Sequence, residues 1–120
     1  MLRSIGAIAA GYIIFGVSGA LLFQLADQQP HDAAPLGFII GATIWGAVFA
    51  LVAGWLTARI ASRRPATHAA ILAGLIALGA IVSLIASPPG TKWSQIGAVA
   101  VMAPCAWLGG LRASRARPAA

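Results

Sequence analysis

GWLTARIASRRPATHAAILAG, residues 54–74, is the stretch on which the fold turns. Arg59, Arg63 and Arg64 stand between two long apolar runs, with no acid among them. Such a cluster can bind nucleic acid or phosphate, serve a reaction, or mark which side of a membrane a short loop occupies. The surrounding chain separates these readings. It has 120 residues, 60% of them hydrophobic and only 8% charged, with a mean hydropathy of +0.90. Soluble domains carry about 25% charged residues, so in water this chain would expose apolar surface with nothing to cover it. The net charge of +6 and the isoelectric point near 11.6 are those of a nucleic-acid binder, yet every basic residue lies outside the apolar runs.

Four such runs are present, at 5–26, 36–58, 66–87 and 93–111, and none contains Asp, Glu, Lys or Arg. A bilayer core needs about 20 apolar residues in a helix, and only helices or closed barrels satisfy the backbone in lipid. Continuous runs lack the alternation of barrel strands. The breaks, DQQPHDAAP, SRRP and SPPGTK, have turn chemistry and are short. The sequence therefore predicts an all-α integral membrane bundle of four transmembrane helices, one membrane domain over 1–120, with neighbouring helices antiparallel. A cleaved signal peptide is the rival for the first run. That run is longer than the usual apolar region and lacks a small-x-small cleavage site after it, so it reads as a retained span.

Orientation follows from the arginines. Arg3 precedes span one; Arg59, Arg63 and Arg64 separate spans two and three; Arg112, Arg115 and Arg117 follow span four. All fall on one side of an even-numbered bundle, leaving Lys92, Asp27 and Asp32 on the other. The positive-inside rule then places both termini in the cytoplasm, as in a multi-pass protein of a bacterial inner membrane. The opening cluster is what topology requires. Its partner is anionic lipid and not nucleic acid, because no aromatic residues for stacking are interleaved with it. Trp55 and Trp107 near the inner boundary, with Trp93 and Phe38 near the outer, form interfacial belts. Trp45, Tyr12 and Phe49 lie deeper as packing groups, and Tyr12 should find a hydrogen-bond partner.

Span two carries a ladder of small residues four apart, Ala42, Gly46, Ala50, Gly54 and Ala58, beside a separate pair, Gly37 and Gly41. Steps of four advance about 40° around a helix, so the ladder winds through roughly 160° and can serve more than one neighbour. Span three repeats the device with Ala69, Ala73 and Ala77, and with Ala70 and Gly74; spans one and four carry shorter versions. In lipid, close approach over small residues is a main source of helix association. Internal packing is the plain reading, and docking of another subunit the sharper one. Pro104 inside span four should kink it and free a carbonyl near Ala100.

Chemistry has little to stand on. Intramembrane ionisable residues mark proton relays and ion paths, and none lies at depth. His68, at the inner start of span three, is a candidate ligand for a metal, haem or chlorin, though a lone interfacial histidine is more often solvated. Asp27, His31 and Asp32 share a loop that Pro30 breaks, with no second histidine or cysteine nearby, so no metal site is expected. Cys105, the lone cysteine, lies within geometric reach of His68 but behaves ordinarily as a small hydrophobe. There is no Gly-rich phosphate loop. An enzyme is not expected.

The passage through GWLTARIASRRP and THAAILAG, the order of four spans and the basic tail resemble the small four-span integral membrane proteins of bacteria. That resemblance implies a fold and a membrane address, and no activity. Small multidrug-resistance carriers share the architecture but place a glutamate in a first span that here has no acid. Double-barrelled fluoride channels need an asparagine in span two and phenylalanines in span three; this chain has no asparagine, and its third span no phenylalanine. The sequence thus reads as a non-catalytic accessory or structural subunit of a larger membrane complex, an energy-transducing one being the kind it suits. Its partners would be lipid and other membrane subunits or itself. The cofactor expectation is none, with contact to pigment, quinone or lipid left open. The alternative is a small homo-oligomeric channel or carrier for an ion or small neutral solute, lined by Gln24, Thr43, Ser18 and the backbone at Pro104.

Overall fold

The computed structural model describes residues 1–29, 32–86 and 90–116. Helix α1 spans Leu2–Ala26, α2 Leu36–Ile60 and α3 Pro65–Ala86. The fourth rod, Trp93–Arg115, consists of α4 (Trp93–Gly97), a π-helical turn (Ala98–Met102) and α5 (Ala103–Arg115). All four rods are long and apolar enough to cross a membrane. At 1.5 Å per residue, helices of this length run to about 35 Å, enough for the bilayer core and part of the interface. The helices outrun the apolar stretches at the arginine-bearing end: α1 begins at Leu2, α2 continues to Ile60 and α5 to Arg115. Apolarity ends at the lipid boundary, whereas the backbone gains by keeping its hydrogen bonds one further turn. Ser87, Arg117 and His31 lie outside the described residues.

The rods run up and down. Thr57 and Trp45 of α2 donate to the carbonyls of Ala7 (3.1 Å) and Ser18 (3.0 Å) of α1, an antiparallel pairing. Gln95 of α4 meets Ser83 of α3 at one end, and Gly110 of α5 meets Ala69 at the other. Helix α2 and the fourth rod are consequently parallel, with Gly46 beside Met102 and Gly54 beside Ala106. In cross-section the rods form a rhombus: α2 and α3 share the short diagonal, while α1 and the fourth rod take the far corners. Arg3, Arg59, Arg63, Arg64, Arg112 and Arg115 come to one end, here the arginine end. Asp27, Asp32 and Lys92 mark the aspartate end.

Size is sorted in the reverse of a soluble core. Among the described residues the buried hydrophobic ones are all alanine apart from Leu72 and Ile76, while Ile13, Val17, Ile44, Val48, Leu78 and Val82 are among the many large residues on the outside. In lipid, large apolar side chains lose nothing by facing outward, and small ones let backbones approach. The closest approach is between α2 and α5. A Cβ on Gly54 would overlap the Ala106 carbonyl, and one on Gly109 would overlap the Leu51 carbonyl. Gly110 sits as tightly against the Ala69 methyl. These contacts close the arginine half of the bundle.

The turns explain where the rods stop. Asp27 ends α1 in the left-handed region (φ 53°). Its N–H bonds the Gln24 carbonyl and that of Gln28 bonds the Phe23 carbonyl, a Schellman ending. Arg64 (φ 48°) opens the way into α3, whose first residue, Pro65, needs no N–H partner. The Arg64 carbonyl accepts from the backbone N–H of Thr67 and of His68. Arg3 does more than mark topology: its Nε donates to the Ile60 carbonyl at 2.8 Å, placing a cation on the C-terminal end of α2.

Candidate functional site

The Ala42–Gly46–Ala50–Gly54–Ala58 ladder is buried along its whole length. It winds as it descends, meeting Met102 of the π turn at Gly46 and Ala106 of α5 at Gly54. Two other small pairs face away. Gly37, Gly41, Ala70 and Gly74 are exposed, and a Cβ on any of these three glycines would have nothing within 4 Å. Spacing alone could not separate inward from outward small residues, because nearly every position in these helices is apolar.

Above the sealed arginine half the rods part. A cleft of about 390 Å³ opens between α1, α2, α3 and α4, from the bundle's middle to the aspartate end. Tyr12 marks its deep end, the Tyr12 hydroxyl lying against Gly79 of α3 and so bridging the gap. Phe15 and Trp45 form part of its walls, and Phe23 and Trp93 its upper rim. Phe23, Phe38 and Trp93 form a triangle of edge-on and tilted rings about 6 Å apart that joins α1, α2 and α4. Thr91 and Trp93 both donate to the Asp32 carbonyl, at 2.8 and 3.2 Å, so the connection into α4 is tied to the α1–α2 connection.

The polar groups of the cleft lie on facing helices. Gln95, 5% exposed, donates from Nε2 to the Ser83 hydroxyl (3.3 Å), and its Oε1 accepts from Ser94 Oγ (3.0 Å). Ser18 donates to its own helix at Phe15 (2.7 Å). The Tyr12 hydroxyl has no hydrogen-bond partner among the described residues, contrary to the expectation from sequence. Its side chain is 42% exposed and reaches across the opening. Gln95 and Ser83 stand out in the sequence as polar residues inside apolar runs, but their pairing does not. Its one signal was a glutamine inside an otherwise apolar run, a residue that needs a partner in lipid.

One wall of the cleft is the π turn. Pro104 has no N–H to give to Ala100, and the rod absorbs the defect by widening: Ala103 N–H bonds the Ala98 carbonyl, five residues back. A kink was the expectation at Pro104; what the structure shows is a wide turn just before it. Ala98 and Met102 of that turn line the cleft.

The remaining candidates are scattered. His68 Nδ1 lies 2.9 Å from the Arg64 carbonyl, so that nitrogen carries the hydrogen. Cys105 packs on the cluster of Ala50, Leu72 and Ile76, without a hydrogen bond to His68. No group of three or more metal-ligating side chains occurs among the described residues. Gln24, Thr43, Ser18 and Pro104 do not line one path: of these only Ser18 borders the cleft. Thr43 donates to its own helix at Ile39 (2.8 Å) and Gln24 is exposed at the end of α1. Arg59 stacks over Trp55 (5.2 Å to the ring centre), and Arg63, Arg64, Arg112 and Arg115 are exposed at the arginine end.

The chain matches no family model, no curated protein and no solved structure. The resemblance to four-span bacterial membrane proteins thus rests on the four apolar helices themselves.

Proposed function

We propose that this multi-pass membrane protein is a non-catalytic accessory or structural subunit of a larger membrane complex, of the energy-transducing kind, in a bacterial inner membrane with both termini cytoplasmic. The observation that supports it most is the closure of the arginine half by Gly54, Ala106, Gly109 and Gly110. A bundle sealed there offers a solute no way through a single copy. Its four apolar runs also hold no Asp, Glu, Lys or Arg to drive transport. What it does offer is contact: a large apolar exterior, outward small-residue pairs at Gly37–Gly41 and Ala70–Gly74, and a side cleft.

Purification from native membrane in mild detergent, followed by mass spectrometry, tests this reading. Other membrane subunits retained in fixed proportion are expected. A stable free monomer with no companion protein would overturn the proposal. The second reading, a homo-oligomeric channel or carrier, draws on the cleft, whose lining includes Ser18, Ser83, Ser94 and Gln95. It predicts flux of ions or small neutral solutes into liposomes holding the purified protein alone, where the subunit reading predicts none.

A further inference from the structure

The cleft has the properties of a ligand site that its fold alone does not require. Helices α2 and α5 show that this chain can pack backbone on backbone, yet α1 and α3 are held apart in the other half. A cavity of about 390 Å³ falls within the usual range for small-molecule sites, and is well over twice the roughly 150 Å³ that admits benzene. Its aromatic walls, Phe15, Trp45, Phe23 and Trp93, suit a flat ring. No Asp, Glu, Lys or Arg lines it, which favours a neutral occupant.

Two hydroxyls define what that occupant must carry. Ser83 accepts from Gln95, and its own hydroxyl hydrogen has no acceptor among the described residues. Tyr12 holds a second unspent hydroxyl hydrogen at the deep end. It rests on Gly79, one turn along α3 from Ser83. Both groups border the cleft, where a carbonyl oxygen of an occupant can accept from them. Gly16 and Gly19 of α1 and Ala80 of α3 leave the flank between α1 and α3 without bulky side chains, so entry is from the bilayer.

We propose that this cleft binds a neutral, lipid-soluble ring compound bearing carbonyl oxygens, the chemistry of a quinone head group, with Ser83 and Tyr12 as donors to those oxygens. This holds whether or not the chain is a subunit of a complex, and it assigns binding alone, with no electron transfer.

The test uses the full chain in lipid nanodiscs, with Trp55 and Trp107 replaced by Phe so that Trp45 and Trp93, both at the cleft, supply the fluorescence. Titration with a short-chain benzoquinone is expected to give saturable quenching. Ser83→Ala and Tyr12→Phe should each weaken binding about fivefold, the effect of one neutral hydrogen bond. Gly16→Leu, at a position with nothing within 4 Å of an added Cβ, should abolish saturation. Gly37→Leu, on the exposed face of α2, should leave it intact. Circular dichroism and gel filtration verify that each variant folds. Quenching that rises linearly and ignores Ser83→Ala, Tyr12→Phe and Gly16→Leu would overturn the proposal. So would native mass spectrometry showing a phospholipid retained in the cleft that the quinone does not displace.

Discussion

What a glycine contributes within this bundle is decided by its neighbours. Gly54 and Gly109 face carbonyls of the opposing helix, so Gly54→Ala or Gly109→Ala must push two backbones apart. Overpacking costs about 1–3 kcal/mol where side chains can yield; backbone yields less, so the upper end is expected, read as a lowered melting temperature in mild detergent. Gly37→Ala and Gly41→Ala meet no atom and should be neutral or stabilise by up to about 1 kcal/mol through helix propensity. The residues held at positive φ, Asp27 and Arg64, behave in the opposite sense. Asp27→Gly keeps the Schellman bonds and removes the Cβ strain, for an expected gain of about 0.5–1 kcal/mol in the same melting assay. Thr57→Val removes the interhelical bond to Ala7. It should cost less than about 1 kcal/mol, since such bonds in membranes average about 0.6 and the carbonyl has its own helix to serve. The small-residue ladder was readable from spacing. The contrast between Gly54 and Gly41 was not, because both sit in uniformly apolar surroundings and only three-dimensional neighbours separate them.

Among the elements, the fourth rod departs most from a plain helix. Pro104 announces a missing hydrogen bond, but sequence cannot say whether a helix answers by bending or by widening. Here it widens, and the wide turn sets Met102 against Gly46. Restoring the N–H with Pro104→Ala should let Ala98–Met102 regain four-residue spacing. Slower amide exchange across those residues, measured by mass spectrometry, is the expected outcome. Helix number and approximate extent were legible, since long charge-free runs in lipid permit little else. The Gln95–Ser83 pair and the ring triangle at Phe23, Phe38 and Trp93 were not, because each joins side chains from different helices.

At the scale of the whole molecule, charge sets direction and side-chain size sets shape. The arginines gather at one end by up-and-down order, and the reading of that end as cytoplasmic has a simple check. Reporter fusions at residue 63 and at the C-terminus should report the same compartment, and a fusion at residue 90 the opposite one. The interior is mainly alanine and glycine and the exterior mainly leucine, isoleucine and valine, so the two surfaces bear different constraints. Exchanging one aliphatic residue for another on the outside changes almost nothing that lipid can sense, whereas enlarging the inner seam at Gly54, Gly109 or Gly110 is blocked by atoms already in place. Descendants of a common ancestor would drift fast over most of their length while keeping the seam. Kinship with this molecule will accordingly show in the rhythm of its smallest residues long after the letters between them have ceased to agree.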